Sequence, residues 1–207
     1  MKNSNSQVRR EDERRYRREH IMRSAERVFG KKGFEDATMR EIADEAGIGM
    51  QGVYEHFISK QQLYEEALLF RLDEIQTRVS DVIQSGTSET RLRALAEKYV
   101  AHFLESPLFF PVWEAHQFTC QWKLGGHCSQ ALQARTNKVM AVVDRLLQDA
   151  MDEGYLRPMN LRLLASVSHA VFNAVIQHHL QHEKKPDPKA CADEMYELFM
   201  TGLGAKR

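Results

Sequence analysis

Gln51, Tyr54, His56 and Lys60 place an amide, a phenol, an imidazole and an ammonium within ten residues, with Thr38 and Arg40 a short distance upstream. None of them has a partner at a spacing that makes a nucleophile, an acid–base pair or a glycine-rich phosphate loop. Their chemistry is hydrogen-bond donation to a surface. The Gln51 amide can bond an adenine edge in two places, the Arg40 guanidinium can reach guanine or a phosphate, and Met50 can touch a thymine methyl. Tyr54, His56 and Lys60 suit phosphate oxygens, which position a protein on a duplex without reading sequence. Glu55 repels phosphate unless it accepts from a cytosine amino group or pairs with a cation. Gly49 and Gly52 lie in the same stretch, and Gly52 would allow close backbone approach at a cost of about 1 kcal/mol in helix propensity. Packing between helices (Tyr54, His56) and plain solvation (Lys60) are the alternative readings of those side chains.

The elements that must position these groups are legible around them. Thr38 and Glu41 form a T-x-x-E capping box that opens a short helix with Ile42, Ala43 and Ala46 on its apolar side. Gly47 then stops the helix where the chain must turn through positive φ. Ile48 packs under the turn, and the spacing predicts a second helix over residues 50–57 with Val53, Tyr54 and Phe57 on or near its inner side. Thr38 caps a helix N-terminus, whose free N–H groups suit a phosphate. Ser59 and Gln62 form a second capping box, opening a long helix at about Gln61. Helix, glycine turn, helix is the construction of a major-groove reader.

On these residues the segment over 17–68 resembles the N-terminal domain of the TetR family of bacterial transcriptional regulators. The pattern comprises Ala25 and Phe29, then Gly33, Phe34, Thr38, Ile42, Ala43, Ala46 and Gly47, then Val53, Tyr54, Phe57, Ser59 and Lys60. It covers about a quarter of the chain. The resemblance implies an all-α fold, with an N-terminal three-helix helix-turn-helix domain followed by a larger helical ligand-binding and dimerisation domain. It also implies a homodimer on double-stranded operator DNA, usually a repressor. The family's tyrosine, histidine and lysine at the positions of Tyr54, His56 and Lys60 touch backbone phosphates, and an arginine is frequent at Arg40. Three positions depart from the pattern. Gly49 replaces a usual serine cap, Met50 a frequent lysine, and Gly52 a threonine or serine, so no operator sequence carries over from relatives.

Composition agrees with a globular chain: 43% hydrophobic and 28% charged residues place it apart from disordered and membrane classes. The net charge of zero conceals an asymmetry, because residues 1–32 hold 11 Lys/Arg against 5 Asp/Glu, so the remainder carries −6. A basic end on an acidic body orients a neutral molecule on DNA. The predicted division is a flexible basic arm over residues 1–16, the helix-turn-helix domain over 17–62 and the effector-binding and dimerisation domain over 63–207. Arg14, Arg15, Arg17 and Arg18 would let the arm reach an adjacent minor groove. The charged start lacks an apolar targeting segment, no stretch spans a membrane, and three cysteines make no disulfide framework. These points predict a cytoplasmic protein.

Beyond residue 68 apolar periodicity predicts helices over roughly 88–105, 132–151 and 161–181, and a last helix carrying Cys191, Met195, Leu198, Phe199 and Leu203. The last two should lie antiparallel and form a four-helix bundle with a second copy, through Ala165, Ala170, Ala174, Met195, Phe199 and Leu203. The aromatic run after Pro107 supplies Phe109, Trp113, His116, Phe118, Cys120 and Trp122. With Phe103, Phe172, Asn173 and Gln177 these would line a cavity for a small apolar or aromatic effector, or simply fill the core. No cofactor is expected. His178, His179 and His182 match no metal-binding motif, and a metal-responsive regulator is one alternative. A helical interaction protein without DNA binding is another.

Overall fold

The computed structural model describes residues 2–82, 86–122 and 129–203, with side chains over 7–82, 86–118 and 129–201. Helices α1 (Lys2–Asp36), α2 (Met39–Ala46), α3 (Met50–Tyr54), α4 (Lys60–Val79), α5 (Ser88–Glu105), α6 (Phe109–Trp122), α7 (Gln130–Asp152), α8 (Leu161–His182) and α9 (Pro188–Leu203) follow one another, with no β-strand among the described residues. They form two compact units, Met1–Phe70 with Leu108–Leu132 and Arg71–Pro107 with Gln133–Arg207.

In the first unit α1 is an amphipathic helix that packs against α2 and α6; its inner face, Ile21, Ala25, Val28 and Phe29, is buried, as are Ile42 and Ala43 of α2, Val53 and Phe57 in and after α3, and Leu63 and Leu68 of α4. Phe29, Phe34 and Tyr64 close one end of this core, with Tyr64 edge-on to both phenylalanines at 5.2 and 4.9 Å. Burial pushes the Tyr64 phenol up to about 12. Gly30 marks the approach of α6, since a Cβ there would sit 2.2 Å from the Leu108 carbonyl oxygen. Gly33 kinks α1 (φ 80, ψ 170) instead of ending it, and the helix resumes to Asp36.

The predicted flexible arm over residues 1–16 is helical from Lys2 onward. Its Arg- and Glu-rich composition favours helix. The pairs Arg9–Glu13 (3.1 Å) and Asp12–Arg15 (2.8 Å) bridge successive turns. A segment that extends an already packed helix also avoids the cost of nucleation.

In the second unit α9 packs against both α5 and α8. Arg91 of α5 holds Asp149 (2.9 Å) and Glu153 (2.5 Å) of α7, and Arg93 lies 3.8 Å over the Tyr196 ring of α9. Asn160 caps α8 by accepting from the Leu163 N–H at 3.1 Å. This arrangement corrects the dimer expectation in part. Met195 and Phe199 are 0% and 5% exposed, buried within their own unit. The face left open is Ser166, Ala170 and Ala174 on α8 with Leu198 on α9, while Ala165 is half-buried. The Leu203 side chain lies outside the described residues. No helix among the described residues is long and apolar enough to cross a membrane.

Candidate nucleic-acid interface

The capping box at Thr38 forms as its residues dictate: Thr38 Oγ1 accepts from the Glu41 N–H at 3.3 Å, and the Thr38 N–H donates to Glu41 Oε2 at 3.0 Å. Bonds from Lys32 and Thr38 hold the Glu41 carboxyl below its usual range. α2 ends at Gly47 in the left-handed region (φ 65, ψ 30), and the Ile48 N–H closes the turn on the Ala43 carbonyl at 3.0 Å. α3 then starts at Gly49, which caps it without a side-chain bond.

α3 is shorter than predicted, Met50–Tyr54 rather than residues 50–57, and the His56 N–H bonds the Val53 carbonyl three residues back at 3.0 Å in a tightened last turn. Met50, Gln51, Tyr54 and Glu55 are exposed, and so are Thr38 and Arg40 on α2. Among the described residues Arg40 makes no ion pair. Tyr54 therefore points outward, contrary to the inner-side assignment. Gly52 points inward, where an added Cβ would meet Ile48 Cδ1 at 3.7 Å. It is half-buried and lines a cavity of about 120 Å³ with Tyr16, Arg17, His20, Ile21, Ile48 and His56.

His56 is half-buried, and its Nδ1 has no hydrogen-bond partner among the described residues. Burial, then the charges of Arg18 and Arg14, hold its pKa below the ordinary imidazole value. Its carbonyl accepts from Arg18 Nη1 at 2.6 Å, and the Arg18 guanidinium sits 4.4 Å over Phe57 and pairs with Glu66. His20 Nε2 lies 3.0 Å from the Ala46 carbonyl. Arg18 and His20 thus hold the ends of α2 and α3 from α1, a role the sequence reading missed. They lie three residues and one residue before Ile21, the first buried residue of α1 among those described, and that closeness was the available signal.

Lys60 is half-buried and bonded within the chain. Its Nζ donates to the carbonyls of Phe34 (2.7 Å), Glu35 (3.0 Å) and Ala37 (2.9 Å), and lies 4.5 Å over the Phe34 ring. The ammonium thus makes three bonds to carbonyls at and just past the end of α1. At the following helix start Ser59 Oγ accepts from the Gln62 N–H at 3.1 Å, whereas the Gln62 side chain takes the Ile58 N–H at 2.8 Å.

The effector candidates are split between the units. In the first, Phe109, Trp113 and His116 are buried along α6 at successive ring distances of 6.3 Å, and Phe118 is 58% exposed. In the second, Phe103 and Phe172 pack against Tyr99 at 5.0 and 5.3 Å, Asn173 is half-buried and Gln177 is exposed. Exposure removes Phe118 and Gln177 as cavity linings. The side chains of Cys120 and Trp122 lie outside the described residues. The second unit has its own apolar cleft, lined by Leu92, Leu95, Val143, Leu147, Phe172 and Phe199 with the polar Ser168 and Tyr196. Its free volume is about 10 Å³, room for roughly one water. Among the sequence-predicted lining residues only Phe172 belongs to it.

The histidine cluster on α8 is committed locally. His179 is held between Glu183 (2.6 Å) and Glu194 (2.7 Å), and His178 stacks on His182 at 4.5 Å. Among the described residues no group of three donors is arranged to hold a metal ion.

Residues 21–67 match the family described as "Bacterial regulatory proteins, tetR family". The chain is 36% identical over 87 residues to the transcriptional repressor KstR2 of Mycolicibacterium smegmatis, covering 42% of each chain. It is 27% identical over 130 residues to the transcriptional activator FasR of the same organism, covering 62% of this chain and 59% of FasR. It therefore spans about half the length of these curated relatives. In fold it is similar to FadR of Bacillus subtilis, solved in complex with stearoyl-CoA, with a TM-score of 0.69 at 16% identity over 88% of this chain and 97% of that one.

Proposed function

We propose, on the match of residues 21–67 to the tetR family of bacterial regulatory proteins, that this chain is a sequence-specific DNA-binding transcriptional regulator of that family. It acts as a homodimer on a pseudo-palindromic operator. The observation that carries the proposal is the α2–Gly47–α3 unit, which turns Arg40, Met50, Gln51 and Tyr54 outward together on a rigidly capped scaffold. Such an exposed short helix, with polar and apolar tips and buried backing at Val53, is shaped for a major groove. Arg40 and Gln51 read bases, and Tyr54 and the α2 N-terminus beside Thr38 position the backbone.

The sign of regulation is repression, supported by the resemblance to KstR2, although FasR is called an activator. The effector is an apolar molecule, and the cleft among α5, α7, α8 and α9 is its site. With about 10 Å³ free, binding must spread these helices. A ligand that favours the spread state lowers operator affinity tenfold for each 1.4 kcal/mol of differential binding.

The test is titration of the purified chain into duplex DNA at low and moderate ionic strength. Two chains per specific duplex, with affinity falling steeply as salt rises, is the expected result. Indifference to every duplex at low salt would instead leave a helical interaction protein.

A further inference from the structure

α1 carries a row of cations that the reading unit does not use. Arg9 is paired with Glu13, Arg15 with Asp12, and Arg18 with Glu66 and the His56 carbonyl. Arg10, Arg14 and Arg17 are exposed and, among the described residues, form no ion pair or side-chain hydrogen bond. Their spacing of four and three residues puts them on one face of the helix. One more step of four residues reaches Ile21, which is wholly buried against the helix-turn-helix core. The free arginines therefore project from the side of α1 that carries α2 and α3.

Arg17 confirms this direction, since it lines the cavity that Ile48, Gly52 and His56 complete. Arg14 and Arg17 also lie close enough to His56 to oppose its protonation. Moving back along α1, the row continues past the reading helix. Asp12 and Glu13 pair with Arg15 and Arg9, which leaves Glu11 as the acidic neighbour of the row.

We infer that the Arg10–Arg14–Arg17 face of α1 is a second contact element, which binds backbone phosphates of the duplex beside the half-site read by α3. This rests on the DNA-binding function proposed above. The row spans about 10 Å of helix axis, comparable with the rise of about three base pairs along the duplex axis at roughly 3.4 Å each. It replaces the minor-groove arm expected from sequence. A helix about 10–12 Å wide cannot enter a minor groove about 6 Å wide, and two of the four arginines assigned to that arm, Arg15 and Arg18, are already paired.

The experiment uses the full chain and two duplexes, one holding only the selected operator and one extended by about one helical turn on each side. The variant Arg10→Gln/Arg14→Gln/Arg17→Gln removes the row, and Arg9→Gln/Arg15→Gln removes the same kind of charge from paired positions. Glutamine favours helix, and circular dichroism confirms that α1 is retained. The wild-type chain should bind the extended duplex at least tenfold more tightly than the short one. The triple variant should lose that preference, and its log affinity against log salt should be shallower by about 2.7 per subunit. The paired-arginine variant should keep both properties. An unchanged slope and length preference in the triple variant would overturn the inference alone, as would equal losses in the two variants. Failure of the wild-type chain to bind either duplex would overturn the proposed function as well.

Discussion

The ammonium of Lys60 donates to the carbonyl of Ala37 at 2.9 Å, tying the first turn of α4 to the residue just before the Thr38 cap. A cation at a helix start opposes the helix dipole. Here it is tolerated because the side chain leaves its own helix and caps the end of α1, where three carbonyls converge. Lys60→Met should lower stability by about 1–3 kcal/mol in thermal or urea unfolding. Lys60→Arg should not restore it, since a planar guanidinium does not reproduce three converging bonds. DNA affinity should fall with the salt dependence unchanged. A slope reduced by about one per subunit, rescued by arginine, would make Lys60 a phosphate contact after all.

Two glycines should respond in opposite directions to the same substitution. Gly30→Ala drives a methyl into the Leu108 backbone at 2.2 Å, and should destabilise by about 1–3 kcal/mol. Gly52→Ala meets only Ile48 at an ordinary 3.7 Å, so it should stabilise by up to about 1 kcal/mol through helix propensity. It should also leave operator affinity within a few-fold of wild type, because that position faces α1. Chemical unfolding and a DNA titration of both variants check the pair.

Histidines give the stability a pH profile with two limbs. Burial, then the charges of Arg71 and Arg78, push His102 down to about 4. Between pH 6.5 and 4 the unfolded chain binds a proton that the folded chain refuses, so stability falls on acidification, by up to about 3 kcal/mol. His179 behaves oppositely. Burial opposes its protonation, but the Glu194 and Glu183 carboxylates outweigh that and raise its pKa. Its contribution is complete below pH 6.5 and is lost as pH rises through the raised value. His102→Leu should flatten the acid limb and His179→Gln the neutral one. Urea midpoints from pH 4.5 to 8 decide it, and an acid limb that persists in His102→Leu would contradict the assignment.

The two classes of residue expected at the dimer interface should separate. Ala170→Glu puts a charge on the open face of α8 and should shift the light-scattering mass toward one chain with folding intact. Met195→Ala should cost about 2–5 kcal/mol of stability by leaving a cavity, and should leave the assembly state unchanged while the protein is folded. A dissociating Met195→Ala would place that side chain at the interface.

What the sequence made legible was local. The Thr38–Glu41 box and the Gly47 turn depend on residues three to five apart, and both form as read. The Lys60 cap was not legible, because its acceptors are backbone carbonyls 23–26 residues away and no side-chain pattern announces them. Periodicity located α9 but gave only an apolar stripe, and a stripe does not say whether a neighbour in the same chain or a second copy covers it. Met195 and Phe199 fell on the intrachain side. The effector aromatics failed similarly, since a run of rings has the same appearance whether it fills a core, as Phe109 and Trp113 do, or opens to solvent, as Phe118 does.

The base-reading assignment is narrowest at Gln51. Gln51→Ala should relax preference at one base pair per half-site, by roughly 1–3 kcal/mol. Competition titrations with single-base operator variants measure it, and an unchanged preference profile would remove Gln51 as a reader.

Selection of bound sequences from a pool of random duplexes tests the account most directly. The account predicts enrichment of an inverted repeat whose half-sites lie about one helical turn or more apart, bound by two chains. Recovery of no common sequence, or of a single unrepeated motif held by one chain, would contradict it.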